Sequence, residues 1–133
     1  MESSNRQFVI VGALMKTPRS PKRGIRIPRK KIREQFLLTY ELKGCQKAID
    51  FLTEYYGVRR MKIILNGRKT GNGNTACYYE NKAYFTKRGL NKRTVLHELY
   101  HHLVYANGLE IPKTKEERAA NSYARDFLSL LDL

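Results

Sequence analysis

The spacing of apolar residues predicts an α+β domain, on three observations. Apolar residues recur at helical intervals over 46–56, 92–106 and 115–131. The period shortens to that of a strand at 60–66. Two β-prone runs, 75–79 and 82–86, flank Glu80-Asn81 as the arms of a hairpin would. The 133 residues suit one compact domain, and a hydrophobic share of 41% suffices for a core. The expected order is an N-terminal strand and helix, a small sheet with an antiparallel part, then two helices.

Taken along the chain, the first element is the longest apolar run, Phe8 to Met15, which is too short to cross a bilayer. Only Arg6 precedes it and nine basic residues follow, which is not the charge pattern of a signal peptide. Residues 7–14 are therefore read as a buried strand of a cytoplasmic protein with no membrane partner. The nine Lys and Arg residues between Lys16 and Arg33 have no acidic residue among them, and Pro18, Pro21, Gly24 and Pro28 break any helix there. Residues 16–28 read as an extended basic arm, and the chain divides into this N-terminal segment, 1–28, and a domain over 29–133. Residues 29–42 carry two patterns: Ile32, Phe36 and Tyr40 have helical spacing, whereas Phe36, Leu38, Tyr40 and Leu42 alternate. A strand over 36–42, ended by Gly44, is expected. The helix over 46–56 puts Ile49, Leu52 and Tyr56 on one face, with Gly57 where a C-cap belongs. Turn residues, including Gly67, Gly71 and Gly73, then separate the strand at 60–66 from the hairpin.

Composition narrows the function. Two cysteines, Cys45 and Cys77, lie far apart, which excludes a disulfide scaffold and a cysteine-based zinc knuckle. With 26 Lys and Arg against 12 Asp and Glu, the formal net charge is +14. Residues 16–33 offer phosphate contacts to a nucleic acid, or serve only as a solubilising stretch. No aromatic stacking platform or groove-reading helix accompanies these charges.

The chemistry concentrates in the helix starting near Lys92. All three histidines fall within His97-Glu98-Leu99-Tyr100-His101-His102, and the first five residues spell H-E-x-x-H. A four-residue step puts His97 and His101 on one helical face, where both imidazoles reach one metal ion. Glu98 projects beside that face and can take a proton from an attacking water. Neutral nitrogen ligands with a nearby general base are what zinc-assisted hydrolysis needs. Flanking Val95, Leu96, Leu99, Leu103 and Val104 would bury the helix; the competing reading is a helix with surface histidines. His102, turned about 100° from the pair, reads as a packing or supporting histidine. Zinc requires a third protein ligand. Among the downstream carboxylates, Glu116 and Glu117 open the last helix; Glu117 also completes a Thr114-to-Glu117 capping box. Helical geometry slightly favours Glu116, and spacing alone leaves the choice open.

Residues 46–128 resemble a gluzincin metallopeptidase in its smallest, minigluzincin form, with a zincin-like fold. In that clan the H-E-x-x-H helix is followed by a helix bearing E-x-x-x-D/N, whose Glu is the third zinc ligand. The pattern falls on Glu117-Arg118-Ala119-Ala120-Asn121, followed by Tyr123 and Ala124. The resemblance therefore implies His97, His101 and Glu117 as metal ligands, Glu98 as catalytic base, and Asn121 orienting a ligand histidine. It also places an edge strand above the cleft, and Asn74-Thr75-Ala76-Cys77-Tyr78-Tyr79 is similar in order and spacing. Thr75, Ala76, Cys77 and Tyr78 would then bind substrate main chain by β-augmentation; the same residues would serve equally as an ordinary hairpin strand. Cys77 could hold zinc in a latent state, or act as a small buried hydrophobe. Tyr100, Tyr105 and Tyr123 are available as oxyanion donors, and nothing in the sequence positions one. The expected function is a zinc-dependent endopeptidase acting on peptides or proteins. The alternative is a non-catalytic, zinc-stabilised protein that binds nucleic acid through its basic arm.

Overall fold

The structure, a computed structural model, describes residues 19–20, 24–66 and 75–129. The strand expected over 7–14 lies outside them, as does most of the basic segment before residue 24. Among the described residues the chain is α+β, with four helices, a three-stranded mixed sheet and a short two-stranded ribbon.

The ribbon pairs β1 (Arg19–Ser20) with β2 (Gly24–Ile25) in antiparallel fashion. The end of β2 and the residues after it are held against the domain. Ile25 is buried in the core, and the Tyr56 hydroxyl donates to the Arg26 carbonyl at 2.8 Å. Arg33, the last cation of the basic run, is also turned inward, its Nε donating to the Pro28 carbonyl at 2.8 Å.

Residues 36–42 are helical, correcting the expected strand. They belong to α1 (Lys30–Lys43), in which Phe36 is fully buried while Leu38 and Leu42 stay 52% and 72% exposed. A strand would have needed all four alternating apolar residues on a covered face. The Ile32–Phe36–Tyr40 stripe packs on the core, with Phe36 set edge-on to Phe127 at 5.3 Å. Gly44 ends α1 and starts α2 (Cys45–Tyr56), which packs back on α1. Gly57 closes α2 in the left-handed conformation, as expected.

The sheet consists of β3 (Lys62–Leu65), β4 (Ala76–Tyr79) and β5 (Lys82–Phe85) in the order β3-β5-β4. β3 runs parallel to β5, and β4 forms the expected hairpin with β5. Glu80 and Asn81 both have positive φ, 40° and 73°, the conformation that matches a two-residue turn to strand twist. Gln46 of α2 meets β3, donating to the Met61 carbonyl and accepting from the Ile63 amide. β4 occupies the other edge.

Helix α3 (Lys92–Ala106) is capped by Asn91, whose side chain accepts from the Thr94 amide at 3.0 Å. The turn before it presses Gly89 against Thr75 so closely that any Cβ there would strike the Thr75 carbonyl. This contact fixes the start of α3 beside the start of β4. Helix α4 (Lys113–Ser129) packs along α3. Phe36, Ile49, Leu52, Phe85, Leu96, Leu99, Leu103 and Phe127 are fully buried between these layers. No described helix is long and apolar enough to cross a membrane.

Candidate metal centre

Burial of one face of α3 decides where its polar residues go. Val95, Leu96, Leu99 and Leu103 face the core, which leaves His97 and His101 directed toward the cleft between β4 and α4. The two imidazoles turn their Nε2 atoms toward each other at 3.2 Å. Helix α4 crosses below them and supplies Glu117, whose Oε1 lies 3.1 Å from His97 Nε2 and whose Oε2 lies 2.8 Å from His101 Nε2. His97, His101 and Glu117 thus form a group able to hold a metal ion. Cys77 borders the cavity but lies outside this group.

The neighbouring carboxylate has a different position. Glu116 Oε2 sits 2.6 Å from His101 Nδ1 and accepts its proton. Thr114 lies within the helix, whose Glu116 amide donates back to the Pro112 carbonyl, so the Thr114-to-Glu117 capping box does not form. Asn121, one turn after Glu117, lines a cavity that His97 also borders. Glu117 therefore contacts both imidazoles, and Glu116 holds His101 in addition. Sequence reasoning weighed Glu116 only as a metal ligand; its place one residue before Glu117 was the available sign that it could reach the same pair.

These hydrogen bonds have an electrostatic consequence. With the His101 Nδ1 proton given to Glu116, a neutral His101 has a bare lone pair at Nε2. That lone pair faces a Glu117 oxygen and the Nε2 of His97, which can carry the proton of its own ring and donate it to Glu117. With the His97 proton on Nδ1 instead, all three residues present lone pairs that a shared cation could accept. A second proton on the His97 ring is disfavoured, because burial and neighbouring His101 lower its pKa, with Glu117 and Asn121 opposing. Tetrahedral zinc with bonds of about 2.0–2.1 Å needs donors about 3.3 Å apart; the two Nε2 atoms lie 3.2 Å apart, and they sit 3.1 and 2.8 Å from different oxygens of Glu117.

Glu98 lines the same cavity of about 510 Å³ and is buried. Burial pushes its carboxyl up to about 7, with Glu117 adding to the rise and His101 opposing it. Ala76, Cys77 and Tyr78 form the opposite wall, and Lys113 closes the α4 end. Thr75 lines an adjoining cavity with Arg93 and Asn121. The β4–β5 register makes Thr75, Cys77 and Tyr79 the residues bonded to β5. The peptide groups of Ala76 and Tyr78 therefore point away from β5, along the free edge.

His102 is a structural residue, 0% exposed. Its Nε2 donates to the Arg59 carbonyl at 2.6 Å, and its Nδ1 accepts from the Tyr78 hydroxyl at 2.7 Å. That hydroxyl in turn accepts from the Asn81 amide at 2.8 Å. The chain of bonds keeps His102 neutral, in line with the lowering of its pKa by burial. It also pins the end of β4 to the middle of α3. Of the tyrosines considered as oxyanion donors, Tyr100 and Tyr123 are buried, with Tyr123 bonded to the Tyr56 hydroxyl at 2.8 Å. Tyr105 is exposed and lines a cavity next to the histidines.

Comparison of the chain with protein-family models, with curated proteins and with solved structures finds no match in any of the three.

Proposed function

We propose that this protein is a zinc-dependent endopeptidase of zincin-like architecture, with His97, His101 and Glu117 as ligands and Glu98 as general base. The observation that carries the proposal is the convergence of two imidazole nitrogens, 3.2 Å apart, on the Glu117 carboxylate, whose two oxygens lie 3.1 and 2.8 Å from them, beside the buried Glu98. Zinc is favoured over harder cations because two of the three donors are imidazole nitrogens. Glu116 and Asn121 would fix the imidazole orientations, as supporting residues do in metal sites.

Zinc bound there would act as a Lewis acid, polarising a peptide carbonyl and acidifying water. The protein's own groups would do the rest. Glu98 would accept a proton from the attacking water and return it to the leaving amine. A carboxyl poised near neutral pH suits both steps. The outward peptide groups of Ala76 and Tyr78 would bond to an extended substrate, and Thr75 and Cys77 would keep that edge in place. Lys113, on the cavity wall, is the available cation for a developing oxyanion.

Incubating the zinc-loaded protein with a mixed peptide library and reading products by mass spectrometry tests the activity. Cleavage by wild type is expected, with none by Glu98→Gln although that variant still holds zinc. Equal cleavage by the two proteins would overturn the assignment of the base.

A further inference from the structure

The metal-holding cavity opens, past His101 and Glu116, into a second cavity of about 400 Å³ with a different character. Its walls are Tyr79 from the end of β4, Glu80 from the turn after it, Val104 and Tyr105 from the last turn of α3, and Leu109 from the segment after it. Leu109 is brought there by the way α3 ends. Gly108 takes a positive φ of 65°, and the Leu109 amide folds back to the Val104 carbonyl at 3.0 Å. The floor is rigid, because Tyr78 packs edge-on against Tyr105 at 6.1 Å while its hydroxyl is held by His102 and Asn81.

Two aromatic rings line this cavity while remaining open to solvent, Tyr79 at 65% and Tyr105 at 49% exposure. The opposite end of the cleft is polar. There the cavity of about 300 Å³ is lined by Arg93, Thr94 and Asn121. β4 runs from the polar end, at Thr75 and Ala76, to the aromatic end, at Tyr78 and Tyr79. A peptide extended along this edge advances about 3.3 Å per residue, with alternate side chains on one face. A chain seated at the metal group therefore sends a neighbouring side chain into the aromatic cavity.

We infer that Tyr79, Val104, Tyr105 and Leu109 form a specificity subsite for a bulky apolar side chain of the substrate, an aromatic one above all. Offset and edge-to-face contacts with the two tyrosines reward an aromatic ring over an aliphatic chain of similar size. The inference rests on the peptidase reading for its substrate, but it is tested by binding alone.

The probes are two fluorescent, end-blocked pentapeptides of alanine that differ only in a central Phe or Ala. Their affinities for zinc-loaded Glu98→Gln protein are measured by anisotropy. The Phe peptide should bind about tenfold or more tightly than the Ala peptide, from burial of one aromatic side chain. Tyr105→Ala, a change at a half-exposed position, should reduce that advantage to less than about threefold, and Leu109→Ala should act in the same direction. Leu42→Ala, on the exposed face of α1, should leave it unchanged. Equal affinity for the two peptides, binding of neither, or an advantage that persists in both cavity variants would overturn the subsite. Phe-selective binding without cleavage by wild type would retain the subsite and remove the peptidase. Cleavage without selectivity would do the reverse.

Discussion

Glu116 Oε2 accepts the Nδ1 proton of His101 at 2.6 Å, so the residue beside Glu117 fixes the ring that Glu117 also contacts. Substituting Glu116 with Ala removes that constraint without removing a donor from the metal group. Zinc affinity should fall about 10–100-fold, the usual effect of losing a supporting partner. Chelator competition checks this, and Glu117→Ala should lose far more. A Glu116→Ala protein with wild-type affinity would show that His101 is oriented by packing alone.

The buried Glu98 carboxyl makes metal-free stability depend on pH in a defined direction. In the folded protein the carboxyl keeps its proton up to about 7, whereas its ordinary value is 4.5. Between those values the unfolded chain binds fewer protons, so this group's contribution to stability falls as pH rises. His97 and His102, with lowered pKa values, act oppositely below 6.5, and a difference between two proteins cancels them. Glu98→Gln should be more stable than wild type by about 3 kcal/mol at pH 8, and the gap should narrow toward pH 5. Urea unfolding of both metal-free proteins measures it; a gap that does not change with pH would contradict burial of the charge.

Tyr78→Phe tests the bond chain that joins β4 to α3. Without the hydroxyl, the Asn81 amide and His102 Nδ1 both lose their partner. An unsatisfied buried group costs about 1–3 kcal/mol. Chemical unfolding should show a loss in that range. A loss near zero would mean that solvent reaches both groups.

How far the sequence could be read depended on whether the deciding partner was local. The H-E-x-x-H helix was legible because its ligand spacing and apolar flanks are written into consecutive residues, and α3 spans 92–106 as expected. The hairpin at Glu80-Asn81 and the cap at Gly57 were legible for the same reason. Residues 36–42 were misread because the alternation of Leu38 and Leu42 resembles a strand until one knows that nothing covers them. What chose the helix was Phe127, which meets Phe36 from far along the chain. Spacing alone did not separate Glu116 from Glu117 and only the family resemblance preferred Glu117; their positions follow from the packing of α4 on α3, which neither helix encodes alone. The role of His102 likewise depended on Tyr78 and the Arg59 carbonyl, two partners distant in sequence.

The helical assignment of α1 yields its own contrast. Phe36→Ala should destabilise by about 3–5 kcal/mol, as expected for a deleted buried aromatic ring. Leu42→Ser, at a position 72% exposed, should stay within about 0.5 kcal/mol of wild type. Thermal or chemical unfolding of the two variants decides it, and similar losses at both positions would favour the alternating strand.

The most direct test of the metal centre is the zinc content of wild type, His97→Ala and Glu117→Ala after zinc exposure and exhaustive dialysis. Wild type should retain about one zinc per chain and each variant close to none, since a structural or catalytic site needs at least three protein ligands. Wild-type protein that emerges free of zinc, or a Glu117→Ala protein that keeps as much as wild type, would contradict a His97–His101–Glu117 site.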